Sequence, residues 1–117
     1  MRWAVCPIKR RPEYLRVAAR GRKVATPGLV LQACRRSSQT SPLRVGLTAS
    51  RRVGGAVQRN RARRRLRDAV ARVMPLHAAA GHDYVVIARA ASVRRPFPAL
   101  AHDLEIALKR LDLWRND

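Results

Sequence analysis

Apolar side chains recur along this chain first at helical spacing, then at strand spacing, then at helical spacing again. In PEYLRVAAR, Tyr14, Leu15, Val17, Ala18 and Ala19 fit a short packed helix, with Pro12 suited to its first turn and Gly21 as its stop. Residues 22–34 alternate weakly and turn at Pro27-Gly28, with LVLQAC the stronger strand. LRVGLTAS, residues 43–50, puts Leu43, Val45, Leu47 and Ala49 on one face. Between them RRSSQTSP is a polar loop. Gly54 and Gly55 break the chain, after which Val57, Ala62, Leu66, Ala69 and Val70 return to helical spacing in a segment expected to end at about Met74, before Pro75. YVVIARA is apolar throughout, as a central strand would be. FPALAHDLEIALKRL closes the chain with a stripe of Leu100, Leu104, Ala107, Leu108 and Leu111. The pattern predicts one small α+β domain over residues 1–117, in the order α-β-β-β-α-β-α, with a mainly antiparallel or mixed sheet. The order of residues 1–11, a basic arm, is left open.

Charge changes this picture most in the middle of the chain. The formal net charge is +19, and residues 1–75 carry +18 of it, with only Glu13 and Asp68 as acids; residues 76–117 carry +1. Such a domain repels itself and makes sense beside a polyanion. Arginine outnumbers lysine 23 to 3, which favours forked, bidentate grip on phosphates, although a GC-rich genome explains that ratio equally well. Nineteen alanines and five aromatics imply a thin core. Cys6 and Cys34 are isolated, and with His77, His82 and His102 they form neither a disulfide framework nor a metal-ligand pattern. No apolar run approaches the roughly 20 residues of a membrane span. MRWAVCPIKRRPEYL has no apolar signal core, and Pro7 and Pro12 argue against an amphipathic presequence, so the cytoplasm is the expected location.

On a helical wheel centred on Leu66, Ala62, Ala69, Val70 and Val73 fall within about 60° and form the buried stripe. Arg63, Arg67 and Asn60 flank it at about 60°, 100° and 120°, and Arg59 lies above its start. Arg61, Arg64, Arg65 and Arg72 point away, between about 160° and 260°. The helix thus presents two polar surfaces. Neighbouring arginines cost a few tenths of a kcal/mol each in an isolated helix, and a bound polyanion reverses that sign.

The stretch RVGLTASRRVGGAVQRNRARRRLRDA resembles the signature of the protein component of bacterial ribonuclease P: a strand ending in Ser and two basic residues, then V-G-x-A-V-x-R-N-R and a basic helix. The matching residues are Arg44 to Gly46, Ser50 to Gly54, Ala56, Val57, Arg59, Asn60, Arg61, Arg63, Arg64 and Arg67. The first helix with Tyr14, the strand DYVVIAR and the terminal helix extend the resemblance over nearly the whole chain. It implies a ribosomal-protein-like fold with a left-handed β-α-β crossover, against the usual preference. It also implies an accessory subunit of an endoribonuclease whose RNA subunit performs catalysis through bound Mg²⁺, with no catalytic residue and no bound metal in the protein. The implied partners are the ribonuclease P RNA and precursor tRNA, met by a free monomer. The 5′ leader of the precursor would lie between the first helix and the sheet, at Tyr14, Ser50, Arg51, Arg59, Asn60, Arg63 and Arg67. The catalytic RNA would meet Arg52, Arg61, Arg64 and Arg65. Family members often carry further cleft aromatics where this chain has Ala18 and Gln32, which leaves Tyr14 as the stacking platform and shifts leader contacts toward arginine.

Two other readings compete. One is a ribosomal or general RNA-binding protein of the same fold with no part in cleavage. The other is a DNA-binding module with its Arg helix in the major groove, which a dimerisation stripe would favour and this sequence lacks. Asn60, uncharged in a basic row, reads either as a specific contact or as a helix-start cap.

Overall fold

The computed structural model describes residues 5–36 and 43–116. The elements run β1 (Val5–Pro7), α1 (Arg11–Arg20), β2 (Arg22–Ala25), β3 (Leu29–Arg35), β4 (Leu43–Thr48), α2 (Ala56–His77), β5 (His82–Ala88) and α3 (Phe97–Arg110), with short 3-10 turns at Arg51–Val53 and Ala90–Val93. From α1 onward this is the expected order. Most of the polar loop expected at 35–42 lies outside the described residues.

The five strands form one mixed sheet in the order β1-β4-β5-β3-β2, with the apolar run of β5 at its centre. β5 pairs antiparallel with β3 and parallel with β4, so α2 is the crossover between two adjacent parallel strands. β1 was not anticipated. It pairs in parallel with the start of β4, and the Ile8 amide donates to the Val45 carbonyl at 3.1 Å. Residues 5–11 therefore belong to the fold; a three-residue edge strand containing a proline carries too little alternation to be recognised. The remainder of the basic arm, residues 1–4, lies outside the described residues.

Side-chain alternation divides the sheet into unequal faces. Leu29, Leu31, Leu43, Val45, Tyr84 and Val86 point toward α2 and α3, where they meet Ala62, Leu66, Ala69, Val70, Val73, Leu100, Leu104, Ala107 and Leu108 in the main core. The other face is sparse. Ile8, Val17, Cys34 and Val85 form a small cluster under α1, with Tyr14 and Ile87 at its margin. Of the apolar positions expected to pack α1, only Val17 is buried; Leu15 is 53% exposed, and Ala18 and Ala19 are exposed. One buried turn suffices because an ion pair described below also ties α1 down.

The buried stripe of α2 is the expected one, but two details differ. Val57 is 78% exposed, since it precedes the point where α2 meets the sheet. The helix also continues through Pro75 to His77. Pro75 is buried, so its ring packs in the core, and the carbonyl it leaves without a donor belongs to the exposed Ala71. Before α2, Gly54 adopts φ 142°, a conformation that side chains rarely tolerate, and this turns the chain from β4 into the helix.

Candidate nucleic-acid interface

The exposed side of α2 is a ridge of arginines. Arg61, Arg64 and Arg67 are exposed and Arg59 and Arg63 partly so, with Asp68 the one acid on the helix. Asn60 stands in the second turn, and Gly55 occupies the N-cap, so the capping reading of Asn60 fails. Its Oδ1 instead accepts from Arg63 Nη2 at 2.6 Å, which fixes both side chains on one flank. Arg59 has its Nε enclosed without a hydrogen-bond partner, an arrangement that favours an incoming acceptor.

At the foot of this ridge, Ser50 caps the 3-10 turn by accepting from the Arg52 amide at 3.3 Å, and Arg51 and Arg52 project from that turn into solvent. The turn packs against the one at Ala90–Val93, which is bracketed by Arg89 and the exposed Arg94. These two arginines extend the basic surface. Sequence reading missed them because they sit in a nearly neutral third of the chain, and only the fold returns that segment to the start of α2.

Arg65 departs from the outward face that the wheel gives it. It is partly buried, and its guanidinium donates to the Ser92 carbonyl at 2.6 Å and also to the Arg95 carbonyl. Arg95 in turn grips the buried Asp103 at 2.5 Å. Arg72, assigned to the same face, lies over the Phe97 ring at 4.8 Å. Both arginines fasten α2 to the segment leading into α3. The wheel supplies direction but not what a long side chain can reach.

The opposite sheet face holds the tyrosine. Tyr14 lies across Gly46 of β4, where an added Cβ would approach the ring to 2.5 Å, so glycine at this position makes room for the platform. Its hydroxyl donates to the Ile8 carbonyl at 3.1 Å. Lys9, Arg11, Tyr14 and Thr48 line an open cavity of about 310 Å³. Beside it, register sets Thr48, Ile87 and Val30 in a half-buried row across the sheet, and Gln32 lies in the adjoining row. Ala18 is exposed on α1, so neither position thought to lack an aromatic supplies a second platform.

Arg67 is not in that cleft. It lines a separate apolar groove of about 300 Å³ with Val5, Pro7, Val45, Leu47 and Val70, on the α2 face. Tyr14 and the α2 flank are therefore on opposite sides of the sheet and meet only around the edge of β4, beyond the end of β1.

The basic residues nearest the floor of α1 serve the fold. Asp83 is fully buried on the α1 face; Arg16 reaches its Oδ2 at 2.5 Å, while Arg44 and Arg36 approach Oδ1 at 3.2 and 3.5 Å. Arg44 also pairs with Glu13 of α1. A buried carboxylate needs such partners, and this hub is what holds α1 over a sheet face with few apolar contacts. Glu13, Asp83 and Asp103 are engaged by arginines, and among the described residues there is no group of three His, Cys, Asp or Glu that could hold a metal ion. No described helix is long and apolar enough to cross a membrane.

A basic helix and turn on one side of a mixed sheet, with a tyrosine-floored cleft on the other, define a small RNA-binding α+β domain. The chain belongs to the Ribonuclease P family, whose sequence model matches residues 5–112. It is 56% identical over 107 residues to the ribonuclease P protein component of Paramagnetospirillum magneticum, covering 89% of this chain and 80% of that one. It is 48% identical over 103 residues to that of Gluconacetobacter diazotrophicus, covering 88% of each. The fold is similar to the RNase P protein of Staphylococcus aureus, with a TM-score of 0.77 at 27% identity over 93% of this chain and 97% of that one. The RNase P protein of Thermotoga maritima shares the fold, with a TM-score of 0.74 at 24% identity over 89% and 96%. The expected family and fold class hold, and with them a role in tRNA processing.

Proposed function

We propose that this chain binds the catalytic RNA of ribonuclease P and the 5′ leader of precursor tRNA, and so promotes removal of the leader. The observation that carries this reading is the pair of surfaces on opposite sides of one thin sheet: an arginine ridge with a single acid, and a platform built by Tyr14 over Gly46. Arg52, Arg61 and Arg64 meet the catalytic RNA; the carbonyl-bound Arg65 sets the α2 end of that surface and offers its outer edge. Tyr14 takes the leader on the cleft side, and Ser50 and Arg51, in the turn that follows β4 at the foot of the ridge, take it beyond the end of that strand. Arg59, Asn60, Arg63 and Arg67 take it where it passes around the β4 edge.

Hydrolysis belongs to the RNA and its Mg²⁺; this chain's part is to neutralise phosphates, stack a base and fix the path of the leader. The free protein acts as a monomer in the cytoplasm. In support, the exposed large apolar residues Val5, Leu15, Val57 and Leu76 are scattered over β1, α1 and both ends of α2. Family membership displaces both the ribosomal and the duplex-DNA readings. Reconstitution is the test: with a bacterial ribonuclease P RNA at low Mg²⁺, the protein should restore 5′ cleavage of precursor tRNA. Unchanged cleavage at saturating protein would overturn the proposal.

A further inference from the structure

A third basic feature shares no lining residue with the Tyr14 cleft and lies at the end of the sheet where β5 begins. Arg20, Arg22, Ala33, Cys34, Arg35 and His82 line a cavity of about 360 Å³. Its construction follows from register. Arg22 of β2 is paired with Ala33 of β3, and Arg35 with His82, which places these side chains along one end of the sheet. Arg20 ends α1 and reaches the same opening. Among the described residues no carboxylate lines the cavity; Asp83, paired with Cys34, is engaged by Arg16, Arg36 and Arg44.

The donors here are partly oriented. Arg22 gives one guanidinium nitrogen to the Leu111 carbonyl at 2.8 Å, which holds the group in place with its other donors available. His82 has its Nδ1 3.0 Å from the Ala80 carbonyl, a hydrogen bond that fixes the ring at the mouth of the cavity. The guanidinium groups of Arg20 and Arg22 open onto one cavity with no acid in its described lining, and an oxyanion offsets their mutual repulsion while matching their forked donors.

We infer that this cavity is a phosphate-binding site, and that in the assembled particle it takes a backbone phosphate of RNA, separate from the contacts of α2 and the Tyr14 cleft. The inference rests on the RNA-binding reading above and adds a third contact region to it.

The full-length protein can be titrated with inorganic phosphate at constant ionic strength while its amide resonances are followed. Saturable shifts at Arg22, Cys34 and His82 are expected, and they should vanish in Arg20→Gln/His82→Asn. Asn retains a donor toward Ala80, and Arg20 is an exposed side chain, so the variant should keep the wild-type spectrum elsewhere. No saturable shift at these amides would overturn the site. Binding of ribonuclease P RNA is measured in parallel. Losing one phosphate contact should make the slope of log K against log[salt] shallower by about 0.7–0.9. Phosphate binding with an unchanged slope would show a site for free anions and overturn the RNA assignment. Low-Mg²⁺ cleavage restored by wild-type protein in that case would leave the proposed function intact.

Discussion

Tyr14 and Gly46 act as one feature. The ring can lie flat on the sheet only where β4 has no Cβ, and its hydroxyl is anchored to Ile8. Gly46→Ala should therefore displace the platform and reproduce Tyr14→Ala, since a base stack is worth about 1–3 kcal/mol. Both variants should weaken binding of leader-bearing precursor tRNA about tenfold or more and leave mature tRNA unaffected. Equal weakening of both tRNAs would contradict a leader platform. Tyr84, on the other sheet face, has a different role. It is fully buried, its hydroxyl donates to the Ala79 carbonyl at 2.6 Å, and burial pushes its phenol well above the ordinary value of about 10. The folded chain therefore keeps Tyr84 neutral where the unfolded chain ionises it. That contribution is complete below about pH 10 and is lost as pH rises further. Urea midpoints should fall above pH 10 in the wild type and fall less steeply in Tyr84→Phe; identical slopes would refute the assignment.

At the level of elements, α2 carries arginines of two kinds that the sequence presents as one row. Arg61 and Arg64 are exposed, whereas Arg65 clamps the Ala90–Val93 turn through two carbonyls. Arg65→Ala should lower stability by about 1–3 kcal/mol, the usual cost of stripping partners from buried polar groups. Arg61→Ala/Arg64→Ala should leave the urea midpoint nearly unchanged and weaken assembly with the catalytic RNA, so that excess protein restores cleavage. Arg63→Ala/Arg67→Ala removes the same charge from the flank, and it should weaken precursor tRNA binding while sparing assembly. If both pairs shift both constants equally, the helix is an undivided electrostatic strip. Periodicity made the stripe of α2, the central β5 and the stripe of α3 legible, because each buries a regular apolar face over several turns or residues. It missed β1, which is three residues long and is held by pairing with a strand nearly forty positions away. Nor could it show that Asp83 in the run DYVVIAR gathers Arg16, Arg36 and Arg44, since ion pairs across a sheet leave no local signal. The RNR motif picked out the exposed basic ridge of α2, but not the sheet that separates Arg67 from Tyr14.

For the molecule as a whole, the +19 overstates the charge available to RNA, because Arg16, Arg44, Arg65 and Arg95 are held by the protein's own carboxylates and carbonyls. What remains still crowds the α2 ridge, the two 3-10 turns and the cavity at Arg20. If about six phosphates are neutralised, log K for RNA against log[salt] should slope near −4 to −5, and a slope shallower than about −2 would contradict a phosphate-dominated interface. The same crowding acts on the free protein. Its main core lies on one sheet face and includes several alanines, while α1 rests on a small cluster and the Asp83 hub. Self-repulsion therefore opposes a modest apolar contribution, and anions that bind only the folded arrangement should shift the balance. A site whose Kd is a tenth of the sulfate concentration adds about 1.4 kcal/mol, which moves Tm by about 5 °C in a domain of this size. Sulfate also stabilises proteins generally by exclusion, but that effect needs far higher concentrations and does not saturate. Thermal melts at fixed ionic strength, exchanging chloride for up to about 20 mM sulfate, should thus show a saturable rise in Tm. The rise should shrink in Arg20→Gln/His82→Asn and in Arg61→Ala/Arg64→Ala, each of which removes part of the anion-binding surface. A midpoint independent of sulfate over that range would show that the folded chain tolerates its charge without bound anions.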